Sequence, residues 1–263
     1  MTEPNTKQRK RLRAHFGFTK TPFHKAMRAA QMYDSLSQRE LVAGLEMWTE
    51  VGGIALCPGP AGVGKSISLR RFLHDLDPRR YHLVQFTYLP GTTNGFLRSM
   101  CRALGLRMHR SGADLFDAAR EHLASFAETH GPHPLIVIDD AEGLSIPVLD
   151  GLRRLTAHDL DAELRFSILL AGTEEVATTL RLASLESLRS RITYAHALHP
   201  FTVEDTHNYL RFHLERAEVD ASVITDDAAK KIFHASQGKP RLVNQLALQA
   251  LIAAASKGLD TID

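Results

Sequence analysis

The chain has 263 residues, 44% apolar and 24% charged, with a formal net charge of +2 at pH 7. Those figures exclude collagen-like, coiled-coil and low-complexity classes, and the charge is too small for the whole molecule to act as a polyanion binder. Two cysteines, Cys57 and Cys101, cannot form a disulfide framework, and no run reaches the roughly 20 apolar residues that span a bilayer, so a soluble cytoplasmic protein of about two domains is expected.

At the amino end, Lys7–Arg13 holds five basic residues in seven, without the apolar stretch of a secretory signal behind it. It reads first as a solvated tail and second as an arm for a polyanion. The first strand-like apolar run is Gly53–Cys57. Next comes Gly59-Pro60-Ala61-Gly62-Val63-Gly64-Lys65-Ser66, which satisfies G-x-x-x-x-G-K-[ST], and then an apolar helix through Ile67, Leu69, Phe72 and Leu73. Strand, glycine loop and helix in that order are the context in which this string binds phosphates. The glycines let backbone N–H groups wrap the phosphates, Lys65 reaches the β- and γ-phosphates, and the Ser66 hydroxyl ligates a cation. ATP with Mg²⁺ is the expected cofactor pair.

The second strand-like run is Leu83–Tyr88, and beyond it a basic helix and loop carry Arg98, Arg102, Arg107, His109 and Arg110. Leu135–Asp139 is the third, ending in Asp139-Asp140. Asp139 is expected to hold the water shell of the metal, and Asp140 to polarise the attacking water as general base, with Glu142 in reserve. Phe166–Ala171 and, more weakly, Ile192–Leu198 complete the set. Strands alternating with helices imply a mostly parallel sheet covered on both faces. After His199-Pro200 the strand signals stop. Thr202-Val-Glu-Asp205 starts a helix, Thr225 caps a second, and a third runs over Arg241–Lys257 to Gly258.

These residues resemble the AAA+ ATPases, and within them the branch that holds ExeA-type secretion ATPases and TniB/TnsC-type transposition regulators. The resemblance spans most of the chain. It rests on Phe16-Gly-Phe-Thr-Lys-Thr-Pro-Phe23, the glycine loop, Ile138-Asp139-Asp140-Ala-Glu142, Leu169–Thr173, Ser190-Arg191-Ile192 and Gly238-Lys-Pro-Arg241. It implies an α/β P-loop AAA+ (ASCE) fold, a parallel five-stranded sheet sandwiched by helices and followed by a small all-helical lid domain. The boundaries expected are 1–30 for a basic arm and lead-in segment, 31–200 for the nucleotide-binding domain and 201–263 for the lid.

Carried over position by position, the resemblance puts Thr173 on the sensor-1 residue that watches the γ-phosphate and Arg241 on the sensor-2 arginine of the lid. Arg191 falls on the arginine finger offered to a neighbouring subunit, with Arg189 a close second. Relatives usually have Asp-Glu where this chain has Asp139-Asp140, which implies slow hydrolysis or a backbone that compensates. The resemblance also turns the helix after the second strand toward the inside of a ring or filament, where Arg98, Arg102, Arg107 and Arg110 would track DNA phosphates.

The function expected is therefore an ATP-dependent regulator that homo-oligomerises as a ring or helical filament on double-stranded DNA and recruits or activates a transposase or other transposition protein. Its rivals are an ExeA-like secretion or envelope-assembly ATPase and a nucleotide-gated protein-interaction switch with no DNA role.

Overall fold

The computed structural model describes residues 12–23, 32–86, 89–156 and 165–263. Residues 7–11 of the basic run lie outside that set, as do Thr87 and Tyr88 of the second expected strand. The chain divides into a sheet unit, 39–61 with 65–198, and a helical unit made of the described residues up to 38, 62–64 and 199–263.

In the sheet unit, five strands run parallel: β1 (Ile54–Pro58), β2 (Tyr81–Gln85), β3 (His133–Ile138), β4 (Ser167–Gly172) and β5 (Ile192–Ala195). Their order across the sheet is β2-β3-β4-β1-β5. The helices of this part of the chain are α1 (Leu36–Val51), α2 (Lys65–Asp75), α3 (Thr93–Ala103), α4 (Gly112–Glu128), α5 (Ile146–Thr156), α6 (Glu174–Thr179) and α7 (Glu186–Arg189). Apolar residues at consecutive positions, as in Leu135-Ile-Val-Ile138, mark strands buried on both faces. Ile54, Leu56, Ile136, Ile138, Ile168 and Leu170 join Phe96 and Met100 of α3, Leu115 and Leu123 of α4, and Leu149 and Leu152 of α5 in one core. Each such side chain contributes about 1.5–3 kcal/mol of burial.

The five strands form where apolar runs announce them, each with its bounds shifted: β1, β3 and β4 by one or two residues, β2 and β5 by up to three. β2 begins at Tyr81 rather than Leu83 and ends at Gln85, because its pairing with β3, from Tyr81 opposite His133 to Gln85 opposite Val137, sets its length. β5 ends at Ala195 rather than Leu198. Beyond it His196 N–H still donates to Leu56 O (3.0 Å) and Leu198 N–H to Pro58 O (2.9 Å), but Pro58 has no N–H to return.

The helical unit holds α8 (Val203–Arg216), α9 (Asp226–Ser236) and α10 (Pro240–Lys257). Thr202 and Asp205 cap α8 reciprocally: Asp205 N–H donates to Thr202 Oγ1 (3.0 Å) and Thr202 N–H to Asp205 Oδ2 (3.1 Å). Thr225 Oγ1 accepts from Ala228 N–H (3.2 Å) at the start of α9, and Gly258 stops α10 in the left-handed region. The unit's core takes Leu210 and Leu214 from α8, Ile232 from α9, and Val243 and Leu251 from α10.

Leu12, Phe18 and Phe23 sit in that same core. The lead-in segment, set apart as part of 1–30 by its basic sequence, thus packs with the carboxyl-terminal helices, since its aromatic side chains need apolar cover. Arg13 is drawn into that packing, its Nε donating to Phe18 O (3.1 Å) and its Nη2 to Thr19 O (2.6 Å). Among the described residues no helix is long and apolar enough to cross a membrane.

Candidate functional site

Because β4 lies between β1 and β3, the carboxyl ends of these three strands line up. Pro58 pairs with Gly172 and Ile138 with Leu170, and Gly59 N–H donates to Gly172 O (3.1 Å). The start of the glycine loop, Thr173 and Asp139-Asp140 therefore leave the sheet from adjacent strands, on the edge where parallel α/β sheets hold ligands.

The loop has the geometry of a phosphate cradle. A Cβ on Gly59 would stand 2.5 Å from the Leu198 carbonyl oxygen, so nothing larger than glycine fits there. Gly62 and Gly64 have φ of +84° and +110°, a backbone that other residues adopt only under strain. Helix α2 begins at Lys65, and the aligned peptide dipoles of the helix give that end positive potential. Lys65 is only 8% exposed. Its ammonium curls back into the loop, donating to Gly59 O (2.7 Å) and Pro60 O (3.1 Å). Val63 is buried, whereas Ala61 and Ser66 are exposed. In the helical unit Arg241, in the first turn of α10, donates its N–H to Gly62 O (3.2 Å), and its Cβ lies 3.1 Å from where one on Gly62 would stand.

At the end of β3, Asp139 is half-buried and its Oδ1 accepts from Asp140 N–H (3.1 Å). Asp140 is exposed and left-handed, with φ +55°. Glu142 has a different engagement: its Oε2 accepts from the backbone N–H of Thr173 (3.0 Å), across from β3 to β4. The Thr173 hydroxyl is buried and has no partner among the described residues. Buried polar groups are rarely left so. A phosphate oxygen bound between Lys65 and Thr173 would satisfy it, so the residues fit a nucleoside triphosphate.

They fit Mg²⁺ as well. Among the described residues no group of three or more His, Cys, Asp or Glu side chains could cage a metal. The Ser66 hydroxyl and the Asp139 carboxylate are hard oxygen donors, few in number, and Mg²⁺ takes its remaining ligands from phosphates and water. When bound, the cation would neutralise charge on the phosphates. Lys65 would shift its donors from loop carbonyls to phosphate oxygens, and Asp140 would accept a proton from water.

Glu142 accepts from a backbone donor and Asp140 is exposed, and substitutions tell their roles apart. Asp140→Asn should keep MgATP affinity and lower turnover by about 10²–10⁴, the usual value of a positioned base. Glu142→Gln should lose far less, since its amide oxygen still accepts from Thr173 N–H. Phosphate release and calorimetric titration check both. Undiminished turnover in Asp140→Asn with a collapse in Glu142→Gln would hand the base role to Glu142.

The arginines lie apart from this edge. Arg191 O accepts from Ile54 N–H (3.1 Å) at the amino end of β1, while the glycine loop leaves the carboxyl end. Its Nη1 donates to Ser187 O (2.9 Å) and Ser187 Oγ (3.1 Å). Arg189 donates to Arg181 O (3.1 Å). Arg102, Arg107 and Arg110 are exposed on α3 and the loop that follows it. Arg98, half-buried, donates to Arg110 O (3.4 Å), so it braces that loop from within. Gln38, absent from every motif named above, has its carboxamide where a Cβ on Gly64 would stand only 2.8 Å from Nε2. Its sequence signal was the capping pattern Ser35-x-x-Gln38 at the start of α1.

Fold and loop together define a P-loop α/β protein of the AAA+ class. The sequence profile of the AAA domain family matches residues 49–180, half of the chain, and the chain belongs to that family. General secretion pathway protein A of Aeromonas hydrophila is 30% identical over 246 residues, an alignment covering 92% of this chain and 45% of that protein. The chain thus spans less than half the length of this relative. Cdc6p of Pyrobaculum aerophilum superposes with a TM-score of 0.68 at 18% identity, covering 91% of this chain and 67% of that one. The Orc1 protein of Aeropyrum pernix, solved in complex with DNA, superposes at 0.64 and 18% identity over 89% of this chain and 64% of its own. At such identities the superpositions establish the fold.

Proposed function

We propose that the chain is an ATP-hydrolysing switch. MgATP occupies the loop at Gly59–Ser66, Ser66 and Asp139 hold the cation, Asp140 takes the proton of the attacking water, and Thr173 and Arg241 sense the γ-phosphate. In the ATP form, copies assemble as a ring or helical filament on double-stranded DNA, Arg191 completing the neighbour's site, and recruit or activate a transposase. The nucleotide part is carried by one observation: a buried Thr173 hydroxyl, without a partner among the described residues, on the sheet edge that also bears Asp139 and the Lys65 loop. The DNA part draws support from the exposed Arg102, Arg107 and Arg110 on one element and its loop, and from the likeness to a protein solved with DNA.

Arg107→Ala combined with Arg110→Ala should weaken ATP-dependent duplex binding equally for unrelated sequences. It should also flatten the log–log salt dependence by about 2, the expected loss for two phosphate contacts. Binding measured over a salt series checks it. A wild-type protein that ignores duplex DNA in ATP at low salt would sink the DNA reading. It would favour the second one, a secretion-pathway ATPase without a DNA role, which rests on the 30% identity to General secretion pathway protein A.

A further inference from the structure

We infer that Gln38 is a positioning residue for the phosphate loop, held in place by the cap of α1. Ser35 and Gln38 form a reciprocal capping box: Gln38 N–H donates to Ser35 Oγ (3.3 Å) and Ser35 N–H to Gln38 Oε1 (3.1 Å). The two residues are 3% and 5% exposed, so neither side chain has bulk water as an alternative partner. With Oε1 committed to the cap, the amide nitrogen is aimed away from it, and it arrives at the loop. A Cβ built on Gly64 would stand 2.8 Å from Gln38 Nε2. Gly64 is the glycine with φ +110°, next to Lys65.

An ordinary capping box needs only an acceptor at its third position, and glutamate serves there as well as glutamine. The carboxamide does something a carboxylate cannot: it places a donor, rather than a second anion, beside a loop that wraps phosphates. It also closes one side of Gly64, so that this backbone keeps its left-handed form and its N–H its aim. Gln38 thereby couples the start of α1 to the shape of the loop.

The inference rests on the phosphate-loop reading of Gly59–Ser66, and its test separates the two. Gln38→Glu preserves the cap and brings a negative charge to Gly64. It is expected to melt within a degree or two of wild type yet bind MgATP about tenfold more weakly or worse, the effect of one like charge near the phosphates. A purely structural role would leave that affinity untouched, so equal binding by Gln38→Glu and wild type would overturn the inference.

A second comparison stands even where Gln38→Glu folds poorly. Gln38→Leu and Ser35→Ala both break the reciprocal cap, but only the first removes the amide from Gly64. Gln38→Leu should bind MgATP several-fold more weakly than Ser35→Ala, and equal affinities would again overturn the inference. Failure of the wild-type protein to bind MgATP would instead remove the phosphate-loop reading on which this one stands.

Discussion

Lys65→Ala is expected to abolish MgATP binding. The Lys65 ammonium is buried inside the loop and held there by two carbonyl oxygens, at 2.7 and 3.1 Å. Loop carbonyls are weak competitors for a cation against a triphosphate, so phosphate oxygens would take over these donors. Two charge-assisted hydrogen bonds are worth about 3 kcal/mol or more, which raises Kd by at least ~100-fold. The same loss shows in melting. MgATP at ~100 times its Kd stabilises the wild-type fold by about 2.7 kcal/mol, and the variant should show no such shift. Calorimetry and thermal melts check both, with circular dichroism to establish that the variant is folded. Wild-type affinity in Lys65→Ala would remove the glycine loop from the site.

Arg191→Ala should lower ATP turnover by about 10³ without weakening MgATP binding, because the guanidinium would act on a neighbour's phosphate. The sheet supplies the reason. Arg191 enters β5 beside the amino end of β1, and roughly 15 Å of strand separates that end from the glycine loop, at ~3.3 Å per residue. An arginine side chain does not bridge that distance back to its own loop. Turnover per subunit should therefore rise with protein concentration.

Mixing two inactive variants tests the arrangement. Arg191→Ala keeps the loop but offers no finger, Lys65→Ala offers a finger but holds no ATP, and together they should recover part of the activity. A mixture that co-assembles yet stays inactive would exclude Arg191 and leave Arg189 to be tried. Both guanidiniums are bonded within their own chain, Arg189 to the Arg181 carbonyl (3.1 Å) and Arg191 to the Ser187 carbonyl (2.9 Å), so either would have to leave that partner to reach a neighbour's phosphate.

Much of this was legible in the residues themselves. The glycine loop follows from a contiguous string whose φ requirements and charges act within eight positions, and the same locality made the Thr202–Asp205 cap, the Gly258 stop and the apolar strands readable. Two kinds of feature were not. The bounds of β2 and β5 depend on which partner carbonyls are within reach, and the lead-in segment's place in the helical core depends on which apolar surface is left for Phe18 and Phe23 to cover.

The sequence by itself determined that a phosphate loop follows a buried strand, that another strand ends in paired aspartates, and that helices close the chain, because each rests on interactions between near neighbours. Only the tertiary structure decided that β4 runs between those two strands. That order sets the Thr173 hydroxyl, buried and without a partner among the described residues, between loop and aspartates, and ties Glu142 to the Thr173 backbone. Strand order is fixed by hydrogen bonds between segments far apart in the chain and by the need to bury both faces of every central strand, and neither is written in any single stretch of residues.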